Sequence, residues 1–187
     1  MKKRLVIFVM ILFSILITAC SSAPKVANEK MMQDIKGYKL PVLPNSSTAV
    51  VYVVRPKKVL GMIIPFKISV DDVSRKLNNG EVLAYIVKPG NHTLVAKSEN
   101  TKKVEFKAKA KQVYFYETDP HIGWLFARIS LESVDSHYGV YQVKKIHNEG
   151  GNITPVNVKK ELAQRKKEEQ IKKKEQSKKN SGQNKKK

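Results

Sequence analysis

From Ala49 to Leu131 the apolar and polar positions follow the rhythm of strands. Ala49 to Val54 is a continuous β-branched and aromatic run, the composition of a strand buried on both faces. Arg55-Pro56 ends it, because proline has no N–H to give to a ladder. Phe66, Ile68 and Val70 alternate with polar residues, and Asp71-Asp72 predicts a turn. Asn78-Asn79-Gly80 predicts a second. Val82 to Val87 follows, stopped by Pro89-Gly90, where proline presets one turn dihedral and glycine permits the next. His92, Leu94 and Ala96 alternate with Thr93 and Val95. Val104, Phe106, Ala108 and Ala110 mark one face of a strand whose other face is mostly lysine. Val113 to Thr118 and Trp124 to Leu131 complete the series. About seven short strands at this spacing predict an all-β fold, a small immunoglobulin/prealbumin-like β-sandwich. Helical segments do not alternate with the strands, which argues against a parallel α/β sheet.

Beyond residue 134 the period lengthens. Val140, Val143 and Ile146, with Tyr138 and Tyr141 near the same face, predict a short closing helix over 135–147 capped by Asp135 or Ser136. Glu149-Gly150-Gly151-Asn152 ends it. Residues 157–187 are low in complexity, with Val158, Leu162, Ala163 and Ile171 too sparse to bury a face. Glu161–Arg165, Glu168–Lys172, Glu169–Lys173 and Glu175–Lys179 have the favourable order for pairing four residues apart. They predict a solvated helix to about residue 179, capped by Asn157, followed by a disordered Lys-rich end.

The opening of the chain has a third rhythm. Lys2-Lys3-Arg4 precede an apolar run from Leu5 to Ile17 that is short for a membrane span. Ile17-Thr18-Ala19-Cys20 then resembles a bacterial lipobox, with small residues before a cysteine whose sulfur takes up lipid. Cys20 is the only cysteine, so an internal disulfide is excluded and lipidation accounts for the odd thiol. Ser21 after it resembles a signal for export to the outer membrane. The expected organisation is a signal peptide over 1–19, a lipidated tether over 20–48 in which Met31, Met32 and Ile35 suggest a short helix, a sandwich over 49–147, and a linker and Lys-rich tail over 148–187.

Net charge is +20, and residues 159–187 alone hold thirteen Lys and Arg against four Glu, a net +9. Such a tail favours anionic lipid, lipopolysaccharide or another polyanion. Lys166, Lys167, Lys172, Lys173, Lys174, Lys178 and Lys179 are the candidate anion contacts.

One order of motifs stands out: Val51-Tyr52-Val53-Val54-Arg55-Pro56, Ile68-Ser69-Val70-Asp71-Asp72, Leu77-Asn78-Asn79-Gly80, Lys88-Pro89-Gly90-Asn91-His92-Thr93-Leu94, then Gln112-Val113-Tyr114-Phe115. Over roughly 48–147 this resembles the bacterial lipoprotein family called domain of unknown function 2846. The resemblance implies a small β-sandwich and almost no chemistry. Asp72 stands where that pattern commonly has glycine, and the insertion from Lys57 to Pro65 and the basic tail lie outside it.

Candidates for chemistry are few. Glu117, Asp119 and His121 form an E-x-D-x-H set that Pro120 interrupts, so a charged loop is expected rather than a metal site. His92 is expected to hydrogen-bond the neighbouring turn, and Asp71 to serve a turn. Arg55 either anchors a loop, with a carboxylate such as Asp71 as partner, or presents its charge to a ligand. Gly123-Trp124-Leu125-Phe126 is expected to be a core strand with its tryptophan inward; the competing reading is a membrane or partner contact. No catalytic, metal or cofactor site is expected. The reading is a non-enzymatic envelope lipoprotein, anchored by lipid on Cys20 and facing the periplasm, whose tail contacts anionic lipid, lipopolysaccharide or an envelope protein. The alternative is a polyanion or nucleic-acid binder acting through the tail; export makes nucleic acid the less natural partner.

Overall fold

The structure, a computed structural model, describes residues 25–60, 62–124 and 127–183, with side chains described to residue 175. The expected signal peptide and Cys20 lie outside the described residues, as do Leu125 and Phe126. Two sheets face each other. One contains β1 (Ala49–Arg55), β4 (Glu81–Val87), β7 (Val113–Glu117), β10 (Glu132–Ser133) and β11 (Ile153–Asn157), in the order β10-β7-β1-β4-β11. The other contains β2 (Phe66–Val70), β3 (Val73–Leu77), β5 (Gly90–Lys97) and β6 (Thr101–Ala108), in the order β3-β2-β5-β6. A separate hairpin pairs β8 (Pro120–Ile122) with β9 (Ala127–Ile129). This is an all-β, sandwich-like fold, with helices α1 (Glu29–Asp34), α2 (Ser136–Asn148) and α3 (Val158–Gln183) added to it.

The alternation in the sequence decides which side chains meet. Phe66, Ile68 and Val70 of β2 and Leu94 and Ala96 of β5 point inward against Val51, Val53, Leu83 and Tyr85 of the facing sheet. Strand β1 is buried throughout because its other face is also covered. Val50, Tyr52 and Val54 pack under Val143 and Ile146 of α2, with Tyr38, Leu40 and Val42 alongside. Tyr52 stacks on Phe115 at 5.4 Å, and its hydroxyl both accepts from the Val42 N–H and donates to the Val42 carbonyl. A Cβ at Gly139 would overlap the Phe115 ring, so α2 lies this close to β7 only because that residue has no side chain.

Three features depart from the sequence reading. The larger sheet is mixed: β1 pairs parallel to β7, and β4 parallel to β11. Parallel neighbours need a long crossover, and α2 carries the chain from edge strand β10 to edge strand β11. Its 13 residues give about 20 Å of helix, close to the four strand spacings it crosses. Residues 153–157, expected in a linker, form β11. Of the expected strand from Trp124 to Leu131, Ala127–Ile129 is instead the second arm of the β8–β9 hairpin, and β10 follows.

Residues 25–48, expected as a tether, lie on the domain. Asn28 caps α1, as the Met31 N–H donates to its side chain, and Lys144 of α2 pairs with Asp34. Asp135 caps α2, accepting from the His137 and Tyr138 N–H groups. Asn157 likewise accepts from the Lys160 N–H at the start of α3. Among the described residues no helix is long and apolar enough to cross a membrane.

Candidate functional site

Strand directions sort the loops onto two poles. The entry pole, where Lys25 lies, gathers loop 56–65, the turns at 78–80 and 98–100, the β8–β9 hairpin and residues 149–152. The tail pole gathers the turns at 71–72, 88–90 and 109–112 and the first turns of α3.

At the entry pole, Arg55 ends the most buried strand and is itself fully buried. Its Nη1 donates to the carbonyls of Ile64 at 2.8 Å and Leu77 at 2.9 Å, and its guanidinium carbon lies 3.7 Å from the Phe66 ring centroid. Burial lowers its pKa to about 10, with Glu81 opposing the shift, so it stays charged at neutral pH. Arg55 therefore anchors loop 56–65 through backbone carbonyls. The expected pairing with Asp71 does not occur, because Asp71 sits at the tail pole, where its carboxylate meets His92.

Beside Arg55, Lys25 donates to both Glu117 and Asp119, and Lys58 pairs with Asp119 at 2.9 Å. Glu117 and Asp119 are two residues apart and share a side. Burial works against the Asp119 charge, but the ammonium groups of Lys58 and Lys25 outweigh it and hold its carboxyl below the usual range. Burial likewise opposes the Lys25 charge, and Glu117 with Asp119 reverses the effect and raises its pKa. The E-x-D-x-H set is thus split: its two carboxylates face lysines, while His121 is exposed on β8.

The rim of this pole is apolar. Of the ten exposed large hydrophobic residues among those described, six belong to it: Val59, Leu60, Met62, Ile63, Ile122 and Trp124. Trp124 is 90% exposed, so the expectation of an inward core tryptophan is corrected. The cause lies in how the hairpin is mounted. Ser98 donates to the Ala127 carbonyl at 2.6 Å, Asn100 exchanges hydrogen bonds with Ile129, and the Trp124 N–H donates to Glu99 at 3.0 Å. These contacts bind β9 to the β5–β6 turn and leave the tip outside both layers. Ser98 and Asn100 escaped the sequence reading because a turn serine and asparagine carry no signal of a distant partner.

The tail pole is polar. Asp71 takes a left-handed conformation at φ 52°, tolerated by a short polar side chain. Its carboxylate accepts from the Thr93 N–H at 3.2 Å and faces His92 Nδ1 at 2.9 Å; His92 Nε2 donates to the Lys88 carbonyl at 2.7 Å. His92 thus ties two turns together, as its position predicts. The first turns of α3 close over this corner. Val158 is buried against the inter-sheet core with Leu162 packed beside it, Glu161 pairs with Arg75, and Arg165 donates to the Asp72 carbonyl at 2.7 Å. The helix start is therefore docked rather than fully solvated as expected. A cleft of about 340 Å³ remains, lined by Asp71, His92, Lys88, Lys159 and Lys166 together with Val158, Leu162 and Ala163.

Of the candidate anion contacts, Lys166 reaches this cleft. Lys167, Lys172, Lys173 and Lys174 are exposed along α3, while the side chains of Lys178 and Lys179 lie outside the described residues. Arg55, grouped with Asp71 and His92 in the sequence reading, stands at the other pole. No protein-family model and no curated protein matches this chain.

Proposed function

We propose that the chain is a non-enzymatic lipoprotein of the bacterial envelope, held by lipid on Cys20, with a basic pole and helix turned toward anionic envelope material. The observation that carries this reading is the opposition of the two ends. Lys25 is clamped at the entry pole, only five residues after Cys20, a span of at most about 18 Å when extended. The basic helix leaves from the tail pole, across the length of the sandwich. An anchor near one pole and a basic helix starting at the other suit a module that bridges a membrane to a polyanion. Ser21 supports outer-membrane placement facing the periplasm. The two facing sheets support the immunoglobulin/prealbumin-like grouping within sandwich folds.

Fatty-acid labelling and membrane fractionation test the anchor. Cys20→Ala abolishes the label and leaves unprocessed precursor; persistent labelling overturns the reading. For the other end, deletion of residues 167–187 weakens retention on lipopolysaccharide, anionic vesicles and DNA alike. Binding also falls steeply from low to physiological salt, because exposed lysines are screened over about 8–10 Å. Selective, salt-resistant capture of DNA would instead favour the nucleic-acid reading.

A further inference from the structure

The entry pole places apolar side chains where a monomeric domain does not ordinarily leave them. Val59, Ile63, Ile122 and Trp124 are 84–90% exposed, and Leu60 and Met62 about half exposed. They come from two loops with no sequence relation, brought together because Asp119, the residue before β8, holds Lys58, the residue before Val59. Each loop is fixed from beneath, one by Arg55 and the other by Ser98 and Asn100, so the exposed apolar side chains project from an anchored base. Scattered exposed hydrophobics are ordinary; six converging on one pole mark a contact surface.

The charges around them identify the occupant. Lys57 flanks the first loop, Lys67 and Lys97 face each other in register behind it, and His121 faces Arg128 across the hairpin. All five are exposed. On the acidic side, Glu117 and Asp119 are already paired with Lys25 and Lys58, Glu99 accepts from the Trp124 backbone, and Glu81 accepts from Asn78 and Asn152; Glu132 and Glu149 are exposed at this pole and are outnumbered by its exposed lysines and arginine. The result is an apolar centre with a cationic surround. Such a surface fits an anionic lipid interface, where lysine and arginine stay at headgroup level and tryptophan prefers the boundary.

We propose that the entry pole docks on the bilayer that holds the Cys20 lipid, inserting the tips of loop 56–65 and the β8–β9 hairpin into its interfacial layer. This rests on the lipoprotein reading above. The short run from Cys20 to Lys25 keeps the pole within reach of the surface, and the acyl chains need supply only part of the attachment. Docking also orients the domain, with the tail pole turned away from that membrane.

Trp124 is the only tryptophan, so its fluorescence reports the tip alone. The mature, lipidated full chain is reconstituted into vesicles of phosphatidylethanolamine and phosphatidylglycerol, with and without phospholipid brominated on its acyl chains. Flotation reports the anchor separately. The expected result is a chain that floats, with Trp124 emission shifted to the blue, quenched several-fold by the bromolipid and shielded from aqueous iodide. The triple variant Val59→Ser, Ile63→Ser, Ile122→Ser still floats and folds, since these side chains are exposed, but loses most of the bromolipid quenching. A chain that floats while Trp124 is quenched by iodide and untouched by bromolipid overturns the docking and leaves the anchor standing. A chain that does not float and is not quenched overturns both. Shielding from both quenchers together with a dimer in sedimentation assigns the surface to a second copy and also overturns the proposal.

Discussion

The two poles of the sandwich are assembled from the same parts, turns between neighbouring strands, yet they differ in which charges they bury and which apolar residues they expose. At the entry pole one set of charges lies inward, with Arg55 fully buried and Glu117 and Asp119 under Lys25 and Lys58, while Lys57, Lys67, Lys97 and Arg128 stay outside. Six large apolar side chains of that pole go outward, up to Trp124 at 90% exposed. At the tail pole the order is conventional. Val158 is buried, and Lys88, Lys159 and Lys166 help line the surface cleft. The difference reflects what each pole is organised to meet. At the entry pole Arg55 anchors loop 56–65, and Ser98 and Asn100 anchor the hairpin; Ile64, Ala127 and Ile129 pack on the core, and the other apolar residues of the two loops face outward. At the tail pole Val158 and Leu162 dock α3, and the lysines stand around the cleft that remains.

Substitutions that disturb this contrast rank by how deeply the group is buried. The largest effect is expected from Arg55→Ala, which strips two carbonyls of their donor and leaves a void beside Phe66. The expected loss is about 3–5 kcal/mol in urea unfolding of the mature chain. A loss below about 1 kcal/mol would mean that water replaces the guanidinium and that the loop does not depend on it.

Lys25→Ala comes next, at about 1–2 kcal/mol, discounted from a fully buried pair because Lys25 is about two-fifths exposed. Its pH dependence follows from the two shifts. The Asp119 pKa is depressed, so its contribution is present above the ordinary aspartate value near 4 and is lost as pH falls through the lower folded value. The Lys25 pKa is raised, so its contribution is complete below the ordinary lysine value near 10.4 and is lost only above it. The penalty of Lys25→Ala, measured against wild type, is therefore level between those limits and shrinks in acid. At the tail pole, His92→Ala removes the tie between the turns at Asp71 and Lys88 and costs about 1 kcal/mol, because Asp71 keeps the Thr93 N–H.

The smallest effect is the most diagnostic of the two poles' difference. Trp124→Ala changes stability by less than about 0.5 kcal/mol, whereas an inward tryptophan would cost about 3–5. Thermal unfolding in solution distinguishes the two, and a large loss would return Trp124 to the interior.

Much of the sandwich is legible in the sequence because strands and turns are local chemistry. The β-branched run of Ala49–Val54, the alternation of Phe66, Ile68 and Val70, and the turns at Asn78-Asn79-Gly80 and Pro89-Gly90 each state their conformation within a few residues. Asp135 and Asn157 announce their helices by the same local rule. His92 is legible as a turn tie because its partner Lys88 lies four residues away.

Features set by distant partners are not legible in this way. A short edge strand does not say which neighbour it will join, so β11 beside β4 and the parallel pairing of β1 with β7 become visible only in three dimensions. The run Ile153–Asn157 carries one buried side chain, Val156, too little pattern to name a neighbour. Trp124 follows the same logic. Its apolar neighbourhood reads as core, and only the mounting of its hairpin on Ser98 and Asn100 puts it outside. Arg55 is legible as a loop anchor but not in its partners, since carbonyls at Ile64 and Leu77 leave no mark on composition. Local conformations, caps and inward faces thus follow from the chain alone, because they depend on backbone sterics and on side chains a few positions apart. Strand pairing, the burial of charges and the exposure of apolar residues are settled only in the folded molecule, because each depends on what the fold brings beside a residue from tens of positions away.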